Sequence, residues 1–136
     1  MPDEIAVKIV DPSDIVDARQ AGHRLAVELG FSLTDGTMIA TAISEVARNI
    51  TSYAERGVIR ITVDDRGGRK ALVVFAEDEG PGIVDIERAM EDGYSTGDGL
   101  GLGLPGSRRL MDGLTVRSEV GRGTVVELWK WIPPRG

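Results

Sequence analysis

The 136-residue chain contains no cysteine, which removes disulfides, thiolate metal sites and thiol nucleophiles together. Such a composition fits a reducing compartment. Aromatic residues are scarce, with two each of Phe, Tyr and Trp, so the core must be built mainly from aliphatic side chains. Lys and Arg number 16 against 22 Asp and Glu, a net charge of −6. This argues against a general duplex-binding surface, because neutralising phosphates takes clustered cations, and no nucleic acid partner is expected. No run approaches the roughly 18 apolar residues of a membrane span. The opening MPDEIAVKIV lacks the basic region and long apolar run of a signal peptide. A soluble cytoplasmic protein without a membrane partner is therefore expected. Hydrophobic residues make up 41%, enough for one core and too many for disorder, so residues 1–136 are expected to form one domain.

What is present has clear periods. Residues 4–10 alternate as a strand. Asp11-Pro12-Ser13-Asp14 supplies helix-start chemistry, with Ser13 or Asp14 as the expected cap. Ile15, Ala18, Gly22, Leu25 and Leu29 then recur at helical spacing, and Gly30 closes that helix. A second helix is predicted from about Thr34 to Tyr53, with Ile39, Ile43, Val46 and Ile50 as its apolar stripe. Ile59, Ile61 and Val63 alternate with polar residues, Arg66-Gly67-Gly68 reads as a turn and ALVVFAEDEG follows, so 58–78 is predicted as a hairpin. A short helix over Val84–Glu91, another from about Pro105 to Asp112, and a closing hairpin turning at Gly121-Arg122-Gly123 complete the chain. The predicted fold class is an α+β two-layer sandwich, with helices on one face of a mixed, mainly antiparallel sheet. Trp129 and Trp131 share one strand face, where core packing is the expected use and a partner-binding patch the alternative. His23 is assigned no chemistry.

Glycine is concentrated in one place. In STGDGLGLGLPGSRR it occupies Gly97, Gly99, Gly101 and Gly103 in alternation and returns at Gly106, although glycine weakens helices and strands alike. Gly101 to Gly106 fits G-x-G-x-x-G, but that dinucleotide fingerprint needs an apolar strand just before it, and DGYST is not one. No G-K-[ST] occurs for a Walker loop, and neither H-R-D nor D-F-G for a eukaryotic-type kinase. The glycines have companions instead. Glu45-Val-Ala-Arg-Asn49 lies in the second helix, Asp78-Glu-Gly80-Pro-Gly82-Ile83 at a strand end, and Gly121-Arg-Gly123-Thr124 in the last hairpin.

The ordered set E-x-x-x-N, D-x-G-x-G, G-x-G-x-G-L and G-x-G-T resembles the GHKL ATPases, the Bergerat-fold superfamily of gyrase, Hsp90, histidine kinases and MutL, over roughly residues 35–128. NITSYAERGVI and GLGLGLPGSRRLMDGL make the chain most similar, within that superfamily, to the anti-sigma-factor-type serine/threonine kinases that act as stressosome switches. Histidine kinases carry an upstream helical hairpin with a phosphoacceptor His, and gyrase and MutL relatives a second domain; neither is expected here.

The resemblance implies ATP and Mg²⁺ as cofactors. It makes Asn49 the metal ligand through its amide oxygen, and Glu45 the catalytic base that accepts the proton of the attacking hydroxyl. The spacing agrees, because residues four apart share a helix face, here one that flanks the apolar stripe. Asp78 is implied to receive the adenine amine, with a water held jointly by Thr124. Gly80 and Gly82, beside Ile83, let the backbone pass close to the base. Gly97, Gly99, Leu100, Gly101, Leu102 and Gly103 would form a nucleotide lid that wraps phosphates with backbone N–H groups, and the helix from Pro105 would aim its N-terminus at them. Arg108 and Arg109 could reach phosphate or a protein partner, or simply be solvated.

By the same resemblance the chain is a partner-switching kinase of bacterial stress signalling. It would phosphorylate Ser or Thr of STAS-domain regulators and activate a PP2C-type phosphatase by binding it. Related kinases include dimers, so a homodimer is among the implied states. Two alternatives stand beside this reading: a nucleotide-gated binding module that sequesters a regulator, and a bare ATPase that uses Glu45 on water.

Overall fold

In the computed structural model, residues 4–54, 56–78, 104–119 and 123–134 are described. The elements in chain order are β1 (Ile5–Ile9), α1 (Pro12–Glu28), α2 (Leu33–Tyr53), β2 (Gly57–Arg66), β3 (Arg69–Asp78), α3 (Leu104–Leu110), β4 (Gly113–Glu119) and β5 (Gly123–Trp131). The helix expected over Val84–Glu91 lies outside the described residues.

The start of α1 corrects the expected cap. Asp11, not Ser13 or Asp14, is the N-cap: its carboxylate accepts from the Ser13 N–H at 2.8 Å. Asp14 reaches back to accept from the Asp11 N–H at 3.1 Å, completing a capping box. Asp11 wins because Pro12, fixed near helical φ and lacking a donor, is best placed at the first helical position, and the cap is the residue before it. The helix ends as a Schellman turn. Gly30 takes φ +94° and donates to the Val27 carbonyl, and Phe31 donates to Ala26, the left-handed geometry that makes glycine the usual residue there.

The five strands form one sheet in the order β1-β2-β3-β5-β4, and every ladder is antiparallel. The β2–β3 hairpin turns through Gly67 and Gly68 at φ +66° and +83°, the pair of positive values a two-residue type I′ turn requires. That short turn locks the register, with Ile61 opposite Val74 and Ile59 opposite Ala76.

Helices cover one face of the sheet. The stripe Ile39, Ile43, Val46 and Ile50 is wholly buried against Ile59, Ile61, Leu72, Val74, Val126 and Leu128. This aliphatic core is what the shortage of aromatics demanded. Trp129 and Trp131 are the exception to the expected packing. They are half-buried and point to the opposite face, because β5 alternates and Val126 and Leu128 take the inward positions. The Arg66 guanidinium lies 5.3 Å from the Trp129 ring centroid, and that of Arg69 lies 4.9 Å from Trp131. Arg66 also pairs with Glu127 and with Asp64. The two rings are thus roofed by cations from the β2–β3 turn, a cation–π arrangement on an outer sheet face rather than core packing.

Helix α3 stops at Leu110 rather than Asp112 because the next residues belong to β5. The Asp112 N–H donates to the Trp129 carbonyl, and its carboxylate accepts from the Trp131 N–H at 2.7 Å. The Lys130 ammonium donates to the Leu110 carbonyl at 3.1 Å, which satisfies one of the acceptors a helix end leaves open.

Candidate active site

The long helix α2 supplies the first half of the site. Ser32 caps it, accepting from the Asp35 N–H at 3.0 Å. Between the buried pairs Ala42–Ile43 and Val46–Ala47, Glu45 reaches the surface partway, and Asn49 does the same one turn later. Both flank the core, as their spacing predicts. The Glu45 carboxylate accepts from Arg48 at 2.9 Å, in a pair whose side chains are 36% and 56% exposed. Pairs this open are worth at most about 1 kcal/mol, so the contact does not lock the carboxylate.

The second half is a row of residues across the end of the sheet. Asp78, the last residue of β3, stands directly opposite Thr124 of β5 and, on its other side, opposite Gly57 of β2. Thr124 in turn stands opposite Ser118 of β4. Alternation puts Asp78 on the same face as Val74 and Ala76, beneath the helices. Asp78 is half-buried and Thr124 buried. The Thr124 hydroxyl lies 3.0 Å from that of Ser118, which also donates to the Gly123 carbonyl at 3.2 Å.

The two halves meet at one end of the molecule, and Gly57 shows why. A Cβ there would come within 2.8 Å of Ile50 Cγ2 and 2.3 Å of the Glu77 carbonyl oxygen. Ile50, next to Asn49 in sequence, is thus pressed onto the strand that pairs with Asp78. Helix α3 also packs against α2.

The structure therefore brings together the strand-end carboxylate, Thr124 and the helix that carries Glu45 and Asn49. Gly80, Gly82, Ile83, Gly97, Gly99, Leu100, Gly101, Leu102 and Gly103 lie outside the described residues. Ser118 is the residue the motifs missed, although a hairpin reflected about Gly121 would have paired it with Thr124. Among the described residues no group of three or more His, Cys, Asp or Glu side chains converges as a metal cage.

Residues 34–134 match the family model for histidine kinase-, DNA gyrase B- and HSP90-like ATPases, and the chain belongs to that family. It is 53% identical over 133 residues to the serine/threonine-protein kinase RsbT of Bacillus subtilis, covering 97% of this chain and 99% of the relative. It is also 34% identical over 121 residues to an anti-sigma F factor of a Thermoanaerobacter species, covering 85% and 83%. Among solved structures, the catalytic domain of the histidine kinase ThkA matches with TM-score 0.55 at 17% identity over 94% of this chain and 96% of that one, a likeness of fold. The chain is thus a GHKL-fold enzyme of the serine/threonine-kinase kind. No helix among the described residues is long and apolar enough to cross a membrane.

Proposed function

We propose that the chain, acting as a single ATP-binding domain, moves the γ-phosphoryl of ATP onto a Ser or Thr hydroxyl of a STAS-domain regulator. It would also bind and activate a PP2C-type phosphatase, switching partners in a cytoplasmic stress pathway. The observation that supports this most is the register of Asp78 against Thr124 under the helix that carries Glu45 and Asn49, together with the full-length likeness to RsbT.

In this reading Asp78 and Thr124 hold the adenine edge, and Asn49 offers its amide oxygen toward the phosphates. A magnesium ion fits that donor set. Mg²⁺ takes few protein ligands when phosphate oxygens and waters fill its octahedron, so one amide oxygen on α2 is a sufficient protein contribution. The ion would neutralise phosphate charge. Glu45, one turn before Asn49, is placed to take the proton of the attacking hydroxyl, and its loose pairing with Arg48 leaves it able to turn toward a substrate.

The likeness to anti-sigma F factors favours a second reading, in which the chain sequesters a regulator in a nucleotide-dependent way with little transfer. Two variants separate these. Asn49→Ala should abolish phosphoryl transfer and blunt the Mg²⁺ dependence of ATP binding. Glu45→Ala should bind ATP and a partner normally yet phosphorylate at least a hundredfold more slowly, since a positioned base contributes about 10²–10⁴-fold. Transfer of labelled γ-phosphate to purified STAS proteins is the measurement. No transfer by wild type to a bound partner, with Glu45→Ala forming the same complex, would establish the binding module instead.

A further inference from the structure

Alternation along β3 and β5 sends Val73, Phe75, Val125, Trp129 and Trp131 to the sheet face opposite the helices, and with them both tryptophans of the chain and one of its two phenylalanines. Val73 is fully buried there and Phe75 half-buried, although no helix among the described residues lies on that side. Side chains laid flat on the sheet supply the cover. Arg66 starts in β2 yet pairs with Glu127 of β5, so its stem crosses β3, and an arginine stem shields apolar surface while its head stays polar. The Trp129 ring lies across β4, because a Cβ on Gly113 would fall 2.0 Å from its Cζ2. The outcome is a smooth aromatic platform. Contiguous apolar surface of this kind marks docking sites, and Trp and Arg are the residues most enriched at their energetic centres.

The shape and charge of the platform define what fits it. Its apolar positions occupy two neighbouring strands with the Trp129 ring leaning over a third, a stripe about 10 Å wide, the diameter of one helix. From Val125 to Trp131 the stripe runs about 20 Å, the length of a helix of about fourteen residues. Glu77 is engaged by Arg60, and Asp64 and Glu127 by Arg66. Arg69 and Arg117 differ: among the described residues neither pairs with a carboxylate. Arg69 lies 4.9 Å from the Trp131 ring centroid, and Arg117 stands opposite Val125, so the two cations mark opposite ends of the stripe. A chain of net charge −6 thus ends this platform in uncompensated positive charge. We propose that the outer sheet face docks an acidic amphipathic helix of a partner protein, with its apolar stripe along β3 and β5 and its carboxylates on Arg69 and Arg117. A basic helix is repelled at both ends, and a nucleic-acid strand would bring its phosphates onto Asp64, Glu77 and Glu127.

Trp129 and Trp131 are the only tryptophans in the chain, so intrinsic fluorescence reads the occupancy of this face directly. The probe is a tryptophan-free synthetic peptide of about fourteen residues, stapled as a helix, with leucines at i, i+3, i+4 and i+7 and glutamates on both flanks. Titrated into the full chain, it should shift the tryptophan emission and saturate. The same peptide with lysine for glutamate, or with its leucines scattered around the helix, should not. Arg69→Glu combined with Arg117→Glu should weaken the acidic peptide roughly tenfold and admit the lysine peptide, an exchange of preference that loss of fold does not produce. Arg69→Gln and Arg117→Gln should each weaken it about two- to fivefold. Thermal unfolding checks that the variants are folded, and the glutamine variants carry the test if the double variant is not. Equal binding of the two charged peptides, no shift with the acidic one, or unchanged affinity in the arginine variants overturns the proposal. So does another occupant: a shift with single-stranded oligouridylate but not with the peptide makes the face a nucleic-acid platform, and sedimentation as a dimer that Trp131→Ala dissociates makes it a contact between copies.

Discussion

Replacing Gly57 with alanine probes the joint between the two halves of the site. The added methyl would sit 2.3 Å from the Glu77 carbonyl oxygen and 2.8 Å from Ile50 Cγ2. Ordinary contact begins near 3.4 Å, so one partner must retreat by about 1 Å. The carbonyl belongs to the β2–β3 ladder next to Asp78, and Ile50 is fully buried in the core, so neither yields cheaply. Overpacking a close-packed interior costs typically about 1–3 kcal/mol, and a backbone clash belongs at the upper end. For a chain of this length about 3 kcal/mol lowers the melting temperature by roughly 10 °C. The displacement would fall on Asp78 and on the residue beside Asn49, so ATP affinity should drop as well.

Gly22→Ala serves as the control. There the methyl would lie 2.2 Å from Ile43 Cδ1, the far end of a flexible side chain, and alanine gains about 1 kcal/mol of helix propensity over glycine. Its net effect should stay within about 1 kcal/mol, since the propensity gain offsets the repacking. Thermal unfolding followed by circular dichroism, with calorimetric ATP titration, measures both variants. Gly57→Ala melting within about 2 °C of wild type, less than 1 kcal/mol shifts a domain of this length, would refute the steric account of the joint.

Two further outcomes follow from particular side chains. Ser107 is fully buried in α3 with no hydrogen-bond partner for its hydroxyl among the described residues; because an unsatisfied buried hydroxyl costs about 1–3 kcal/mol, Ser107→Ala should raise the denaturation midpoint, and a clear destabilisation would show that the hydroxyl has a use. The Asp11 carboxyl is held below its ordinary range by the Ser13 side-chain and backbone hydrogen bonds. A group lowered on folding stabilises the fold above its unfolded value and loses that contribution as pH falls through the folded one. Asp11→Ala should therefore melt below wild type at neutral pH, with the gap closing once pH drops beneath the carboxylate range; a gap that is constant with pH would rule out the charged cap.

The sequence alone determined a good deal of this protein. The buried stripe of α2 follows from a period of 3.6, the inward residues of β2 from a period of 2, and the Gly67-Gly68 turn from the need for two positive φ angles. Glu45 and Asn49 share a face for the same periodic reason, and four ordered motifs carried the family. These are local rules, and a chain read in order can express them.

The tertiary structure decided what depends on neighbours distant in the chain. Trp129 and Trp131 read as core because of their size, yet the inward positions of β5 went to Val126 and Leu128, and arginines from the β2–β3 turn supplied the cover. Asp112 left its helix because β5 offered its carboxylate a backbone N–H. The pairing of Asp78 with Thr124, and the Ser118 hydroxyl behind it, exist only once β5 lies between β3 and β4. A motif names the residue types, but which lone pair faces which neighbour is set by strand order and register, and those are fixed by packing the whole sheet beneath α2.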